Sequence, residues 1–146
     1  MSLSKIDSKR HQLGVSVESA LSPKQIGICL SHIEVLQMCV KEDVPILVME
    51  DDAIILDNFR SNLQNLVGHD GEYDMVFFGH CYETAQSETI HNDFTKSRNP
   101  LCTHGYLVTP RIAVKLVEYL SQINNPVDVM FAEFLRKHPE FRPWSA

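Results

Sequence analysis

Three consecutive carboxylates, Glu50, Asp51 and Asp52, follow directly on the apolar run Ile46-Leu47-Val48-Met49. Acids crowded at the C-terminal edge of a buried strand repel one another unless something offsets their charge. A hard divalent cation does so: Mg²⁺ or Mn²⁺ takes carboxylate oxygens and shares its other positions with phosphate oxygens. Open α/β sheets also bind ligands outside the carboxyl ends of their strands. In an extended chain Glu50 and Asp52 point to one face and Asp51 to the other, so one face would hold the metal while the other caps a loop. The same residues also fit a solvated acidic turn, because short acidic motifs occur without a ligand as well.

Nearby polar side chains extend the set. His104 opens a later apolar run and is an acceptable further Mn²⁺ ligand. His32 falls within a helix-like stretch, where it either lines a site or packs in the core. Its neighbour Ser31 can bond the carbonyl one turn back, the usual structural role, and Gly27 is expected to allow close helix packing.

The elements that must position these groups show in capping signals and periodicity. Ser22-Pro23-Lys24-Gln25 reads as a helix start, with Ser22 the N-cap, Pro23 at the first helical position and Gln25 completing a capping box. Ile26, Cys29, Leu30, Ile33, Leu36 and Val40 recur at three- and four-residue steps as a buried face, and Pro45 marks the helix as ended. Ile46–Met49 has the pattern of a central strand in a parallel-type sheet. Asp57 caps an expected helix through Val67, with Phe59, Leu63 and Leu66 inward and Gly68 at its end. Tyr73–Phe78, closed by Gly79, is a second strand, and His104–Val108 a third. Thr109-Pro110 repeats the cap-plus-proline signal and opens a helix that Asn124-Asn125-Pro126 breaks. Val127–Lys137 is a last helix, and Phe141–Trp144 an irregular tail. Residues 80–100 are polar and mixed, a long loop in which Tyr82, Glu83 and Arg98 either order over a ligand as a lid or form a plain surface excursion. Strands alternating with helices specify an α/β layered domain over residues 22–146, after a loose, flexible lead-in at residues 1–21.

The chain has 146 residues, room for one domain. With 44% apolar residues and a mean hydropathy of -0.13 it can bury a core. No apolar run approaches the roughly 20 residues of a membrane span, and the first ten residues lack the apolar centre of a secretory signal. Thirteen Lys and Arg against nineteen Asp and Glu leave a net charge of -6, which argues against general nucleic-acid binding. A small anionic ligand stays compatible, because a bound divalent cation reverses the local field. Cys29, Cys39, Cys81 and Cys102 form no C-x-x-C pair, so they read as buried thiols in a reducing compartment, with neither a zinc knuckle nor a disulfide framework expected.

Two families place acids after a strand in this way. In a response-regulator receiver, Ile46–Asp52 would be the opening strand, but Tyr73–Phe78 ends in Gly79 where a phosphoacceptor aspartate is needed. The late Lys-Pro is also missing, and the acids lie a third of the way along the chain, so the receiver is rejected. The chain resembles the family 25 glycosyltransferases over roughly residues 21–130, in several blocks that keep the family's order. Leu21–His32 is similar to the helix "GEIGC-x-x-SH", with Gln25 where Glu is usual. Leu47–Ala53, LVMEDDA, resembles the "LEDD" strand end, and Tyr73–Gly79 the "DxxxLG" strand. His104–Pro110 with Ala113 and Leu116 resembles "HAYLISPxGAxKL", and Pro126-Val127-Asp128 the "PID" that follows.

The resemblance implies a GT-A-type, Rossmann-like layered sheet and the transfer of a hexose, commonly galactose, from a UDP-sugar to a saccharide acceptor. The acceptor would be a lipooligosaccharide or lipopolysaccharide precursor. By the same analogy Glu50, Asp51 and Asp52 would hold Mn²⁺ or Mg²⁺ against the donor diphosphate, offsetting charge on the leaving group. Ser31, His32 and His104 would contact the donor. The reaction is expected to invert the anomeric centre, with Asp128 as the base at the acceptor hydroxyl. Asp128 also suits a plain structural role as a carboxylate at a helix N-terminus. A chain of this length without a signal or span suits a bacterial cytoplasmic enzyme, peripherally associated with the inner face of the membrane. One departure stands out: the family's opening strand and its "NLxRRxDR" stretch have no counterpart before residue 21, Lys9-Arg10 being at best a remnant. That implies a chain lacking the base and ribose part of the nucleotide pocket. The competing expectations are a truncated relative that only binds a metal or a protein partner, and an interaction domain with a solvated acidic cluster.

Overall fold

Helix α1 (Leu3–Leu13) occupies the stretch expected to be irregular, and it ends where Gly14 turns left-handed at φ 67°. Its amphipathic signal is weak because Ile6 is its one buried residue, packed into the main core, while Lys9 pairs with Glu34 of the next helix. The computed structural model describes residues 2–17, 21–79, 81, 88–91, 94–97 and 99–146. Tyr82, Glu83 and Arg98, expected in a lid, lie outside the described residues.

A short strand, β1 (Ser16–Val17), leads to α2 (Pro23–Glu42). The capping box forms as expected: the Gln25 amide donates to Ser22 Oγ at 3.3 Å, and the Ser22 amide donates to Gln25 Oε1 at 3.0 Å. The helix buries Cys29, Leu30, His32, Ile33, Leu36 and Cys39. Beyond it follow β2 (Ile46–Met49), α3 (Phe59–Asn65), β3 (Met75–Gly79), β4 (Thr89–His91), β5 (Phe94–Lys96) and β6 (Gly105–Val108). The chain closes with α4 (Pro110–Leu120), β7 (Gln122–Ile123), α5 (Val127–Lys137) and β8 (Pro143–Ser145).

The expected α/β architecture is present as a six-stranded mixed sheet in the order β2-β6-β3-β8-β5-β4, with β1 and β7 pairing apart from it in parallel. Several expectations about the strands are corrected. β2 is an edge strand antiparallel to β6, not a central parallel one: Ile46 and Val48 pack on the core while Leu47 and Met49 are more than a third exposed. The polar segment 80–100 contains the β4–β5 hairpin, and the tail expected to be irregular supplies β8, parallel to β3. Thr109 does not cap α4 through its side chain; its hydroxyl donates to the Asp74 carbonyl at 3.0 Å. The helix expected from Asp57 to Val67 shortens to α3, with Asn58 in place of Asp57 at its N-cap position.

Alternation on β3 and β6 divides the interior into two clusters. Met75, Phe77, Tyr106 and Val108 face α1, α2, α4 and α5. Val76 and Leu107 face the other way, into a smaller cluster with Leu66, Tyr73, Phe94 and Trp144. The Asp74 carboxylate, 1% exposed, fastens the C-terminal strand: it accepts from the Arg142 amide at 2.8 Å and from Arg111 Nη1 at 2.7 Å. Among the described residues no helix is long and apolar enough to cross a membrane.

Candidate functional site

The register of three strands creates the site. Gly105 pairs with Met49 on one side and with Gly79 on the other, so the carboxyl ends of β2 and β3 meet the start of β6 at one sheet edge. Gly79 allows a close approach there, since a Cβ would stand 3.3 Å from the Cβ of His104, a tight contact. Gly27, expected to serve close packing, has open space where a side chain would be.

Glu50 and His104 therefore face each other one residue beyond the ladder, and the Glu50 amide donates to the His104 carbonyl at 3.0 Å. Thr103 Oγ1 donates to Glu50 Oε1 at 2.6 Å, and His104 Nδ1 lies 3.3 Å from Glu50 Oε2. Asp52 completes the group: Glu50, Asp52 and His104 each offer a ligand atom, all within 4.8 Å of one another. Two carboxylates and an imidazole form a donor set suited to Mn²⁺. The chain turns at Glu50–Ala53 instead of running extended, so the turn, not strand alternation, groups Glu50 with Asp52. Asp51 does not join the cluster and borders a separate groove with Ser31, His32 and Gly27. Ser31 donates its hydroxyl to the Gly27 carbonyl at 3.0 Å, the back-bond of a structural serine.

Behind Glu50 lies a buried polar pair that the sequence does not announce. His32 Nδ1 is 2.7 Å from the Tyr106 hydroxyl, and His32 Nε2 is 3.7 Å from Glu50 Oε1. Burial lowers the His32 pKa from its ordinary value, against an upward pull from Glu50, and burial also raises that of Tyr106. A protonated phenol donating to Nδ1 of a neutral ring leaves the ring hydrogen on Nε2, facing Glu50.

Asp128 stands at the start of α5, bordering a depression of about 200 Å³ with Glu50, Thr103 and His104. Its Oδ1 accepts from the Val129 amide at 2.9 Å and its Oδ2 from the Cys102 amide at 3.3 Å, so it holds the helix start and the site wall together. The cysteine expectation is half corrected. Cys29 and Cys39 are free and buried, and burial, reinforced by Asp128, pushes the Cys29 thiol up to about 11. Cys81 and Cys102, however, are joined in a disulfide across 21 positions, with Cys81 Sγ 3.4 Å from His104 Nε2. No spacing motif marks that pair; only the folded chain brings it together. Cys102 takes a left-handed φ of 68°, a conformation that side chains other than glycine adopt at a cost of about 1 kcal/mol or more.

On the other side of His104, Asp52 borders a cleft of about 370 Å³ whose far wall is Ile54, Ile55 and Leu56, all well exposed. The family model described as glycosyltransferase family 25 (LPS biosynthesis protein) matches residues 2–131. No curated protein matches the chain.

Proposed function

The chain belongs to glycosyltransferase family 25, a family of lipopolysaccharide biosynthesis, and on that premise we propose that it moves a hexose, galactose first among the candidates, from a UDP-sugar to a saccharide hydroxyl with inversion. The observation that carries the proposal is the convergence of Glu50, Asp52 and His104 within 4.8 Å. Those three residues would hold Mn²⁺ or Mg²⁺, and a cation there supplies charge to offset the leaving diphosphate. Thr103 orients the Glu50 carboxylate, and the neutral His32–Tyr106 pair closes off its inner side.

Asp128 is the base in this reading. Its carboxylate borders the same depression as Glu50, and two backbone amides hold it in orientation, so an acceptor hydroxyl entering there meets a fixed proton acceptor. Inversion requires that hydroxyl to approach the anomeric carbon opposite the diphosphate. The groove bordered by Ser31, His32 and Asp51 is the proposed extension of the donor site. The exposed Ile54, Ile55 and Leu56 suit a lipid-linked acceptor or peripheral contact with a membrane surface.

Calorimetric titration of UDP and UDP-galactose, with and without Mn²⁺, tests the proposal. Saturable binding that needs Mn²⁺, weakened at least about tenfold in Asp52→Asn, is the expected result. Unchanged affinity in Asp52→Asn would remove the assigned metal set. No binding under either condition would favour a relative that keeps the fold without the transferase.

A further inference from the structure

A second cluster of ligand-bearing side chains stands at the opposite edge of the sheet from Glu50, beside β4. His69 and Glu72 sit three residues apart in the turn before β3, where the Glu72 amide donates to the His69 carbonyl at 2.9 Å. His91 ends β4. His69 Nδ1 lies 3.4 Å from Glu72 Oε1, and His91 Nε2 lies 3.3 Å from Glu72 Oε2. In a tetrahedral metal site with bonds of about 2.0–2.1 Å, ligand atoms stand about 3.3–3.4 Å apart. The two nitrogen–oxygen spacings, each to a different Glu72 oxygen, are of that order, and all three ligand atoms lie within 4.8 Å of one another.

Three further observations point the same way. His69 Nδ1 is a buried nitrogen outside good hydrogen-bond geometry, its nearest partner being the Glu72 carboxylate at 3.4 Å. The two imidazoles pack at 4.1 Å between ring centroids, which brings two potential ligand rings together beside Glu72. Trp144 walls the cluster, its ring centroid 5.9 Å from that of His69 and 5.4 Å from that of His91. Side-chain exposures of 29% for His69 and 38% for His91 leave one side open to solvent.

We propose that His69, Glu72 and His91 form a three-ligand site for a divalent transition metal of the zinc type, with water in the remaining position. Two imidazoles and one carboxylate are a ligand set that zinc accepts, and a bound ion would tie the β4 edge strand to the turn that feeds β3. The site is independent of the transferase reading, since it shares no residue with the Glu50 cluster.

Trp144 is the chain's one tryptophan and thus a built-in reporter. Tag-free protein is titrated with Ni²⁺ or Co²⁺ while tryptophan emission is followed, and with Zn²⁺ while the melting temperature is followed. The expected results are saturable quenching at one ion per chain, a rise in melting temperature with Zn²⁺, and a loss of affinity of at least about tenfold in both His69→Ala and His91→Ala. Tryptophan quenching, which reports on the cluster that Trp144 walls, should follow the same curve in Asp52→Asn as in the wild type. Because His91 is half-exposed on an edge strand, His91→Gln serves as a second variant if His69→Ala unfolds. Quenching that fails to saturate, affinity unchanged in the histidine variants, or binding lost only in Asp52→Asn would each overturn the proposal.

Discussion

The His32 ring has lost most of its contact with water, and that desolvation holds its pKa below the ordinary imidazole value of 6.5, with Glu50 pulling the other way. The unfolded chain therefore takes up a proton near that ordinary value, while the folded chain waits for a lower pH. Stability from the neutral buried ring is fully present above the unfolded pKa and is lost as pH falls from about 6.5 toward the folded value. His32→Gln, which keeps an acceptor for Tyr106, should flatten the fall in urea midpoint between about pH 6.5 and 5. Equal slopes in the two proteins would remove His32 from this role. Sequence reading named Glu50, Asp51 and Asp52, with His104 as a further candidate, as ligands by residue type, and Asp51 stands apart from the other three. It could not find Thr103 or Tyr106, because a hydroxyl next to a carboxylate leaves no periodic trace and both lie more than fifty positions from Glu50.

Helix α2 carries His32 and starts where its capping box says it should. Ser22→Ala removes the acceptor for the Gln25 amide and should cost about 1 kcal/mol in denaturant unfolding. Strand β8 depends on a different device. Asp74→Ala leaves the Arg142 amide and two guanidinium groups without their buried acceptor and should cost about 3 kcal/mol, with Asp74→Asn retaining part of it because an amide oxygen still accepts. Loss of the same size in both variants would mean that charge, not acceptance by an oxygen, holds the strand. The contrast between these elements explains what sequence could show. The caps and apolar steps of α2 and α5 lie within one or two turns of each other. The three residues of β8 carry no period of their own, and α1 buries too little to print one.

Across the whole molecule, the Cys81–Cys102 bridge closes a separation of 21 residues around the hairpin and fixes the wall beside His104. Replacing both cysteines by serine should lower unfolding free energy by about 3 kcal/mol by the chain-entropy account for a loop of that length. A change under about 1 kcal/mol would mean that the hairpin is held by its pairing with β8 instead. The chain by itself determined the α/β class, the helices α2, α4 and α5, the apolar runs that become strands, and the acids at a strand end. Those follow from capping, proline and hydrophobic period, which act between neighbours. Only the tertiary structure decided that β2 is an antiparallel edge strand, that Gly105 brings Glu50 and His104 face to face, and that Cys81 meets Cys102. A strand's alternation says which side faces the core but not which strand lies beside it. Pairing and register come from burying two clusters at once, a choice made by residues far apart in the chain.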